Sequence, residues 1–312
     1  MNHAPIALFA YNRPYHLKET LTALSKNFDA DKSDLIIFLD GIADINNSVL
    51  VENCSRVEEI AKSVQGFKKV EIIQSGINKG CDQSEIDGIT EVVNRYGKVI
   101  VLEDDLITSP FFLSYMNFCL NYFEEIENVG SINSFSFKIK GLSQYFFLKG
   151  GNPWGWATWD RAWSLYNDDS PTLLEKLKAH DLNDWEYGGS YDLLKNGTFW
   201  DIKWYTSLYI ENKLGLFPSR SFVRQIGFDG SGTHYHPSST NKRQYQLHEL
   251  AQKVDYYSIQ SLPIKENIKE KRIIQNYYFD MKGQPREFHK RMVKKYYFIK
   301  HQLKKLIMPH KL

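Results

Sequence analysis

Cysteine is scarce in this sequence. Its 312 residues hold three, Cys54, Cys81 and Cys119, an odd number with no C-x-x-C pair. That argues against a disulfide framework or a zinc site and fits a reducing compartment. Long apolar runs are missing too. No stretch approaches the ~20 apolar residues that a membrane span needs. The opening MNHAPIALFAYNRP, with a run of five apolar residues before Tyr11, does not read as a secretory signal. Neither G-x-G-x-x-G nor G-x-x-x-x-G-K-[ST] occurs, which argues against a dinucleotide dehydrogenase or a P-loop enzyme. There is no internal repeat and no low-complexity block.

What is present suffices for a packed core: 42% of residues are hydrophobic and 24% charged. At this length the chain holds one large domain or two small ones. Aromatics reach 14%, a level that suits either core packing or a sugar-binding or base-binding surface. The net charge of +2 is uneven. Residues Arg286 to Leu312 carry nine Lys/Arg and one Glu, or +8, so the body is left with 30 against 36, or −6. A mildly acidic body bears a basic tail.

The pattern predicts strand–helix alternation four times over. PIALFAY (5–11), DLIIFLDG (34–41), KVEIIQ (69–74) and KVIVL (98–102) read as buried strands. Between them, Leu17, Leu21 and Leu24 share one helical face, as do Leu50, Cys54, Val57, Ala61 and Val64. SEIDGITEVVNRYG reads as a helix stopped by Gly97. Residues 109–126 read as another, with Ser109 as cap and Pro110 at the first position. The expected fold is α/β, a mostly parallel, doubly wound sheet with ligands at the carboxyl ends of its strands. The tips to watch are Tyr11-Asn12-Arg13, Asp40-Gly41, Asn78-Lys79-Gly80 and Glu103-Asp104-Asp105.

The last tip poses a physical problem, since three adjacent acids repel unless something positive sits among them. A carboxylate pair at a strand tip suits Mn²⁺ or Mg²⁺, hard ions that prefer oxygen and commonly take phosphates as further ligands. A solvated turn before a capped helix is the plain alternative.

On ALFAYNRPYHLKETLTAL, IIFLDG, NKG and VIVLEDDL…SPFFLSYM the sequence resembles the GT-A nucleotide-sugar glycosyltransferases. It looks most like the branch of the N-acetylglucosaminyltransferase I family and bacterial transferases of surface polysaccharide assembly. The resemblance spans about residues 4 to 235. It implies a GT-A domain over 1–275, with a nucleotide-binding half (1–130) and an acceptor-binding half (131–275), followed by a tail (276–312). It implies that E-D-D is a variant D-x-D motif whose last member, Asp105, binds the metal. Glu103, Asp104, Asp40, Lys79, Tyr11, Asn12 and Arg13 would then bind the nucleotide-sugar donor, which the resemblance implies is a UDP-sugar. In PWGW, residues Trp154, Gly155 and Trp156 would face the acceptor, although Trp154 stands where the family has glycine. Of the four tryptophans at 154, 156, 159 and 163, two are expected to be plain core. The family's general base maps onto Asp201 in FWDIKWY, where one acid replaces two. Asp184 and Glu186 compete for that role, and Asp160 more naturally pairs with Arg161 or caps a helix. In GFDGSGTHYHP, a glycine loop could close over the donor, with His234, and less so His236, as a metal or phosphate ligand.

The resemblance thus implies sugar transfer to a glycan or lipid-linked glycan hydroxyl, with inversion, in bacterial surface glycan synthesis. The rivals are a sugar-nucleotide pyrophosphorylase, which should carry a Gly-rich basic loop that AYNRPYHL lacks, and a non-catalytic glycan-binding protein, which would leave the acid triplet unexplained. In the tail, Phe288, Met292, Tyr296, Ile299, Leu303 and Leu306 form one helical face with lysines around it. Such a helix suits an anionic membrane surface, a docked position on the body, or a dimer. Nucleic acid is not expected as a partner of an acidic body. The expected location is cytoplasmic, with a peripheral place on the inner face of the membrane open. Oligomeric state is left open.

Overall fold

The computed structural model describes residues 3–181, 190–197, 199–232 and 249–281. Eight of its strands form one sheet in the order β3-β2-β1-β4-β8-β6-β9-β7. They are β1 (Ile6–Ala10), β2 (Asp34–Leu39), β3 (Lys69–Gln74), β4 (Lys98–Glu103), β6 (Val129–Asn133), β7 (Tyr145–Lys149), β8 (Trp156–Trp159) and β9 (Leu214–Pro218). The first four are parallel, as their continuous apolar runs require when both faces are covered. β8 enters antiparallel to β4, and β7 antiparallel to β9. The sheet is therefore α/β and mostly parallel, with two reversed strands in its second half. A separate ribbon pairs β5 (Leu106–Thr108) with β10 (Val223–Gln225).

Period-two alternation sends the strand side chains into two cores. Ile6, Leu8, Ile37 and Leu102 meet α1 (Pro14–Leu24), α2 (Ser48–Ser63) and α4 (Phe112–Tyr122) on one face. Ala7, Phe9, Phe38 and Val101 meet α3 (Cys81–Tyr96) and α5 (Trp200–Ile210) on the other. Pro14 opens α1 and Gly97, at φ 75°, closes α3 with its N–H on the Val93 carbonyl. The expected helix at 109–126 begins later, at Phe112. Ser109 Oγ accepts the Phe111 N–H at 3.1 Å and also donates to the Ala251 carbonyl, so it ties two segments together at the entry to α4.

Residue 130 lies within β6 of the sheet, and α6 (Ile268–Met281) runs through residues 275 and 276. No helix among the described residues is long and apolar enough to cross a membrane. The basic segment 286–312 lies outside the described residues.

The tryptophan motif divides otherwise than the sequence suggests. Trp156, Trp159 and Trp163 are all buried, so three of the four are core. Trp156 is fully buried, with ring centroids 5.5 Å from Trp204, 5.9 Å from Trp200 and 6.0 Å from Trp163. Its ring thus packs in the second core, whereas Trp154 lines a cavity. Trp156→Ala should cost about 3–5 kcal/mol in a urea unfolding experiment. A loss of less than about 1 kcal/mol would contradict the packing described.

Candidate functional site

At the carboxyl ends of β1 to β4 lies a cavity of about 650 Å³. Tyr11, Asn12, Arg13, Asp40, Lys79, Glu103 and Asp104 all line it, together with Ser84, Glu85 and the backbone of 75–80. The parallel topology produces this convergence, since each strand delivers its terminal residues to the same edge.

Arg13 is the positive charge among the acids. Its guanidinium bonds Asp104 and reaches Asp105 Oδ2 at 2.8 Å. Burial alone would lower the Arg13 pKa, but Asp104 and then Asp105 reverse this and hold it above the ordinary value. The Tyr11 backbone also favours the charged form of Asp104, and the Asp104 carbonyl accepts from Thr20 Oγ1 at 2.7 Å. Asp104 is only 2% exposed. Its geometry makes it the anchor for Arg13 and the β1 tip.

Asp105 differs from its neighbour. Oδ2 faces Arg13, while Oδ1 is buried with no hydrogen-bond partner among the described residues. An orphaned buried carboxylate oxygen is costly unless something positive completes it. A single carboxylate that shares a divalent ion with substrate phosphates is a known type of Mg²⁺ site. The donor chemistry therefore fits Mn²⁺ or Mg²⁺ with phosphate completing the shell. Among the described residues no group of three or more His, Cys, Asp or Glu side chains forms a ready-made metal cage. His234 and His236 lie outside the described residues, as do Asp184 and Glu186.

Asp40 stands at its expected tip with its carboxylate already engaged. Oδ1 accepts from the N–H groups of Gly41 and Lys79, both at 2.9 Å. Oδ2 accepts from Gly80 N at 2.9 Å and Asn78 Nδ2 at 3.0 Å. Asp40 thus shapes the loop that leads into α3. Gly41 makes the close approach possible, since a Cβ there would lie 2.3 Å from the Ile77 carbonyl carbon. Lys79 pairs with Asp87 at 2.6 Å, and the Tyr11 hydroxyl accepts from Ala43 N at 3.0 Å.

Two site residues escaped sequence reasoning. Glu85 faces inward from α3 and is 2% exposed. Burial pushes its carboxyl up to about 8. The Cys81 thiol bond opposes this, while Asp201, Asp82 and Asp105 add to it. Burial, then Glu85 and Asp105, likewise push Glu103 well above the usual range. The signal in the sequence was an acid on the apolar face of a helix, at i−4 from Ile89. Gly227 is the second. A Cβ there would fall 2.1 Å from Asp105 Oδ2 and 3.1 Å from Arg13 Nη1. The β5–β10 ribbon presses this glycine onto the ion pair, with the Ile226 N–H on the Asp105 carbonyl at 2.9 Å.

A second cavity, of about 330 Å³, lies in the later half of the chain. Trp154, Phe135, Phe137, Tyr205, Asn152 and Asp201 are among its walls. Asp201 sits in the first turn of α5 and is within electrostatic reach of Glu85 in the first cavity. Gly155 is buried, and its Cβ position is filled by Ser134 Oγ at 2.7 Å and Val223 at 2.9 Å. Its lack of a side chain serves this close packing. Asp160 opens a short helix and accepts the Arg161 N–H at 2.7 Å.

No protein-family model matches the chain, and no curated protein matches it. Among solved structures it is similar to S. aureus TarS, at 12% identity and a TM-score of 0.39, over 71% of this chain and 36% of that one. It is also similar to glucosyl-3-phosphoglycerate synthase from Mycobacterium tuberculosis in complex with Mn²⁺, UDP and glucosyl-3-phosphoglycerate. There the identity is 14% and the TM-score 0.30, over 43% of this chain and 44% of that one. A further complex of the same synthase, with Mn²⁺, UDP and phosphoglyceric acid, gives 13% and 0.33, over 53% and 57%. The chain thus spans between about a third and three-fifths of these proteins. Likeness at this level says nothing of activity or substrate.

The raised Glu85 carboxyl has a consequence for stability. Between its ordinary 4.5 and about 8, the folded state holds a proton that the unfolded chain releases. Stability therefore falls as pH rises through that window. Urea unfolding of Glu85→Gln from about pH 5 to about pH 8 should show a smaller decline than wild type. Parallel declines in the two proteins would contradict the assignment.

Proposed function

We propose that the protein is a metal-dependent glycosyltransferase that moves a sugar from a nucleoside diphosphate to a carbohydrate hydroxyl. The observation that carries the reading is Asp105, with its unpartnered buried oxygen, held by Arg13 next to Glu103 and Asp104, which line an acidic strand-tip cavity. Six carboxylates line that cavity, Asp40, Glu85, Asp87, Glu91, Glu103 and Asp104, against the cations Arg13 and Lys79. A diphosphate cannot enter such a field without added positive charge. Mn²⁺ or Mg²⁺ held by Asp105 would supply it and stabilise the leaving diphosphate. The resemblance to nucleotide-sugar glycosyltransferases carried by the strand-tip motifs points to UDP as the nucleoside diphosphate.

The residues then divide the work. Asp104 fixes Arg13, and Arg13 fixes the side of Asp105 that faces away from the ligand. Asp40 holds the 78–80 loop as a wall for the nucleoside. Asp201 is the base that takes the acceptor proton. It lines the second cavity, where an acceptor hydroxyl would sit, and its charge is felt by Glu85 in the first. Direct displacement with Asp201 as base gives inversion. The aromatic walls at Trp154, Phe135 and Tyr205 suit the apolar face of an acceptor sugar. A role in bacterial surface glycan synthesis, with the protein cytoplasmic and its 286–312 segment on an anionic membrane surface, completes the reading. A pyrophosphorylase or a glycan-binding protein would leave the Asp105 oxygen and Asp201 without a purpose.

Titration calorimetry with UDP and Mn²⁺ tests the site. Asp105→Asn should abolish the Mn²⁺-dependent part of binding, and undiminished binding would sink the metal assignment. With donor and acceptor in hand, Asp201→Asn should lower kcat by about 10²–10⁴ while leaving donor affinity unchanged. A variant with near-normal kcat would remove Asp201 from the role of base.

A further inference from the structure

The first turn of α1 grips more than the acid pair. Arg13 precedes that turn, Pro14 opens it and His16 lies within it. The His16 ring is 5% exposed, with Nε2 at 3.2 Å from Asp229 Oδ2. Asp229 lies beyond β10, on the stretch that leads away from Gly227. That stretch is tied along its length. The Ile226 N–H donates to the Asp105 carbonyl at 2.9 Å, and the Gly227 N–H to Gln225 Oε1 at 2.7 Å. His16 adds a further tie. A buried imidazole needs a partner for its N–H, and a carboxylate is a strong one.

Asp229 passes the tie on. Its Oδ1 accepts from the Ser231 N–H at 2.9 Å and from Ser231 Oγ at 2.7 Å. Burial would raise the Asp229 carboxyl, but the Ser231 bonds, then His16 and Arg13, hold it below its ordinary value. Ser231 lines the first cavity, with Tyr11, Asn12 and Arg13 among the other walls. Its hydroxyl proton is committed to Asp229, so the oxygen offers the cavity an acceptor. The carboxylate is thus shared, Oδ2 with α1 and Oδ1 with the cavity wall.

We infer that His16 is a positioning residue for nucleotide binding: through Asp229 it holds Ser231 as a wall of the cavity that takes the nucleoside diphosphate. What enters that cavity follows from the proposed function, on which the inference rests. His16 is among the walls of neither cavity, so it acts on a ligand through the segment it holds. The Asp229 side chain is 47% exposed. Without a buried partner, water would compete for both of its oxygens. With His16 in place, one oxygen is anchored to α1 and the other is aimed at Ser231. A wall held in this way costs a ligand less ordering on binding. One helical turn therefore sets two sides of the site, Arg13 holding Asp105 and His16 holding the segment packed against it.

Calorimetric titration of the full chain with UDP in the presence of Mn²⁺ tests this. His16→Leu should weaken UDP binding by about tenfold. His16→Gln, whose amide can donate in place of Nε2, should come within about threefold of wild type. Asp229→Ala should weaken binding by at least as much as His16→Leu. The double variant, His16→Leu with Asp229→Ala, should bind no more weakly than Asp229→Ala alone, since His16 acts through that carboxylate. A general loss of packing at His16 would not be rescued by Gln and would add to the effect of Asp229→Ala. Unchanged UDP affinity in Asp229→Ala would overturn the inference, and this half-exposed position decides the matter should His16→Leu fail to fold. Losses that multiply in the double variant, or His16→Gln as weak as His16→Leu, would overturn it too. In each of these results wild type still binds UDP, so the nucleotide reading stands apart from them. Absence of any Mn²⁺-dependent UDP binding by wild type would remove that reading and this inference with it.

Discussion

The site depends on one ion pair. Arg13, just past β1, spans Asp104 and Asp105, just past β4, and so ties the tips of two neighbouring parallel strands together. Two adjacent carboxylates buried at a strand end would repel each other and lose water with no return. The guanidinium fork removes that conflict, because its planar donors can engage both acids at once. Around it the backbone closes tightly. Gly227 packs against the pair where any side chain would collide, and Thr20 from α1 holds the Asp104 carbonyl.

The ion pair also sets up an asymmetry. Asp104 is fully engaged, whereas Asp105 keeps one oxygen in a buried place without a partner. The neighbours deepen the deficit of positive charge. Glu85 and Glu103 line the same cavity, and Asp201 lines the aromatic one. A negatively charged ligand enters such a field only together with a cation, which the field itself attracts. That dependence links the electrostatics of the strand tips to the reaction proposed for them.

Much of this was legible in the sequence because the early strands are buried on both faces. Continuous apolar runs such as PIALFAY and KVIVL leave few alternatives, and their ends mark where polar residues must gather. Tyr11, Asn12, Arg13, Asp40, Lys79, Glu103 and Asp104 were all placed at one edge by that reasoning. The partner of the acids is less legible: Arg13 lines the cavity and is at the same time the counter-ion of Asp104 and Asp105. The same holds for Asp40, whose four hydrogen bonds go to its own chain. Sequence pattern locates a polar residue at a tip but does not say which of its oxygens remain free. The tryptophans show the limit from the other side. Trp156 and Trp154 stand two residues apart on the way into β8, but one points into the core while the other borders a cavity. A short strand after a glycine at φ 66° carries no periodicity long enough to reveal that. Glu85 was overlooked because an inward acid on a helix looks like an exception to the apolar face, and its meaning comes only from Glu103 across the cavity.

The central claim is that Asp105 completes its coordination with a divalent ion and a nucleoside diphosphate. Crystals grown with Mn²⁺ and UDP, measured at a wavelength where manganese scatters anomalously, test this directly. The account predicts one strong anomalous peak within bonding distance of Asp105 Oδ1, bridged to the diphosphate, with Arg13 still on Oδ2. A peak that avoids Asp105, or UDP bound with the Asp105 oxygen turned away from it, would contradict the account.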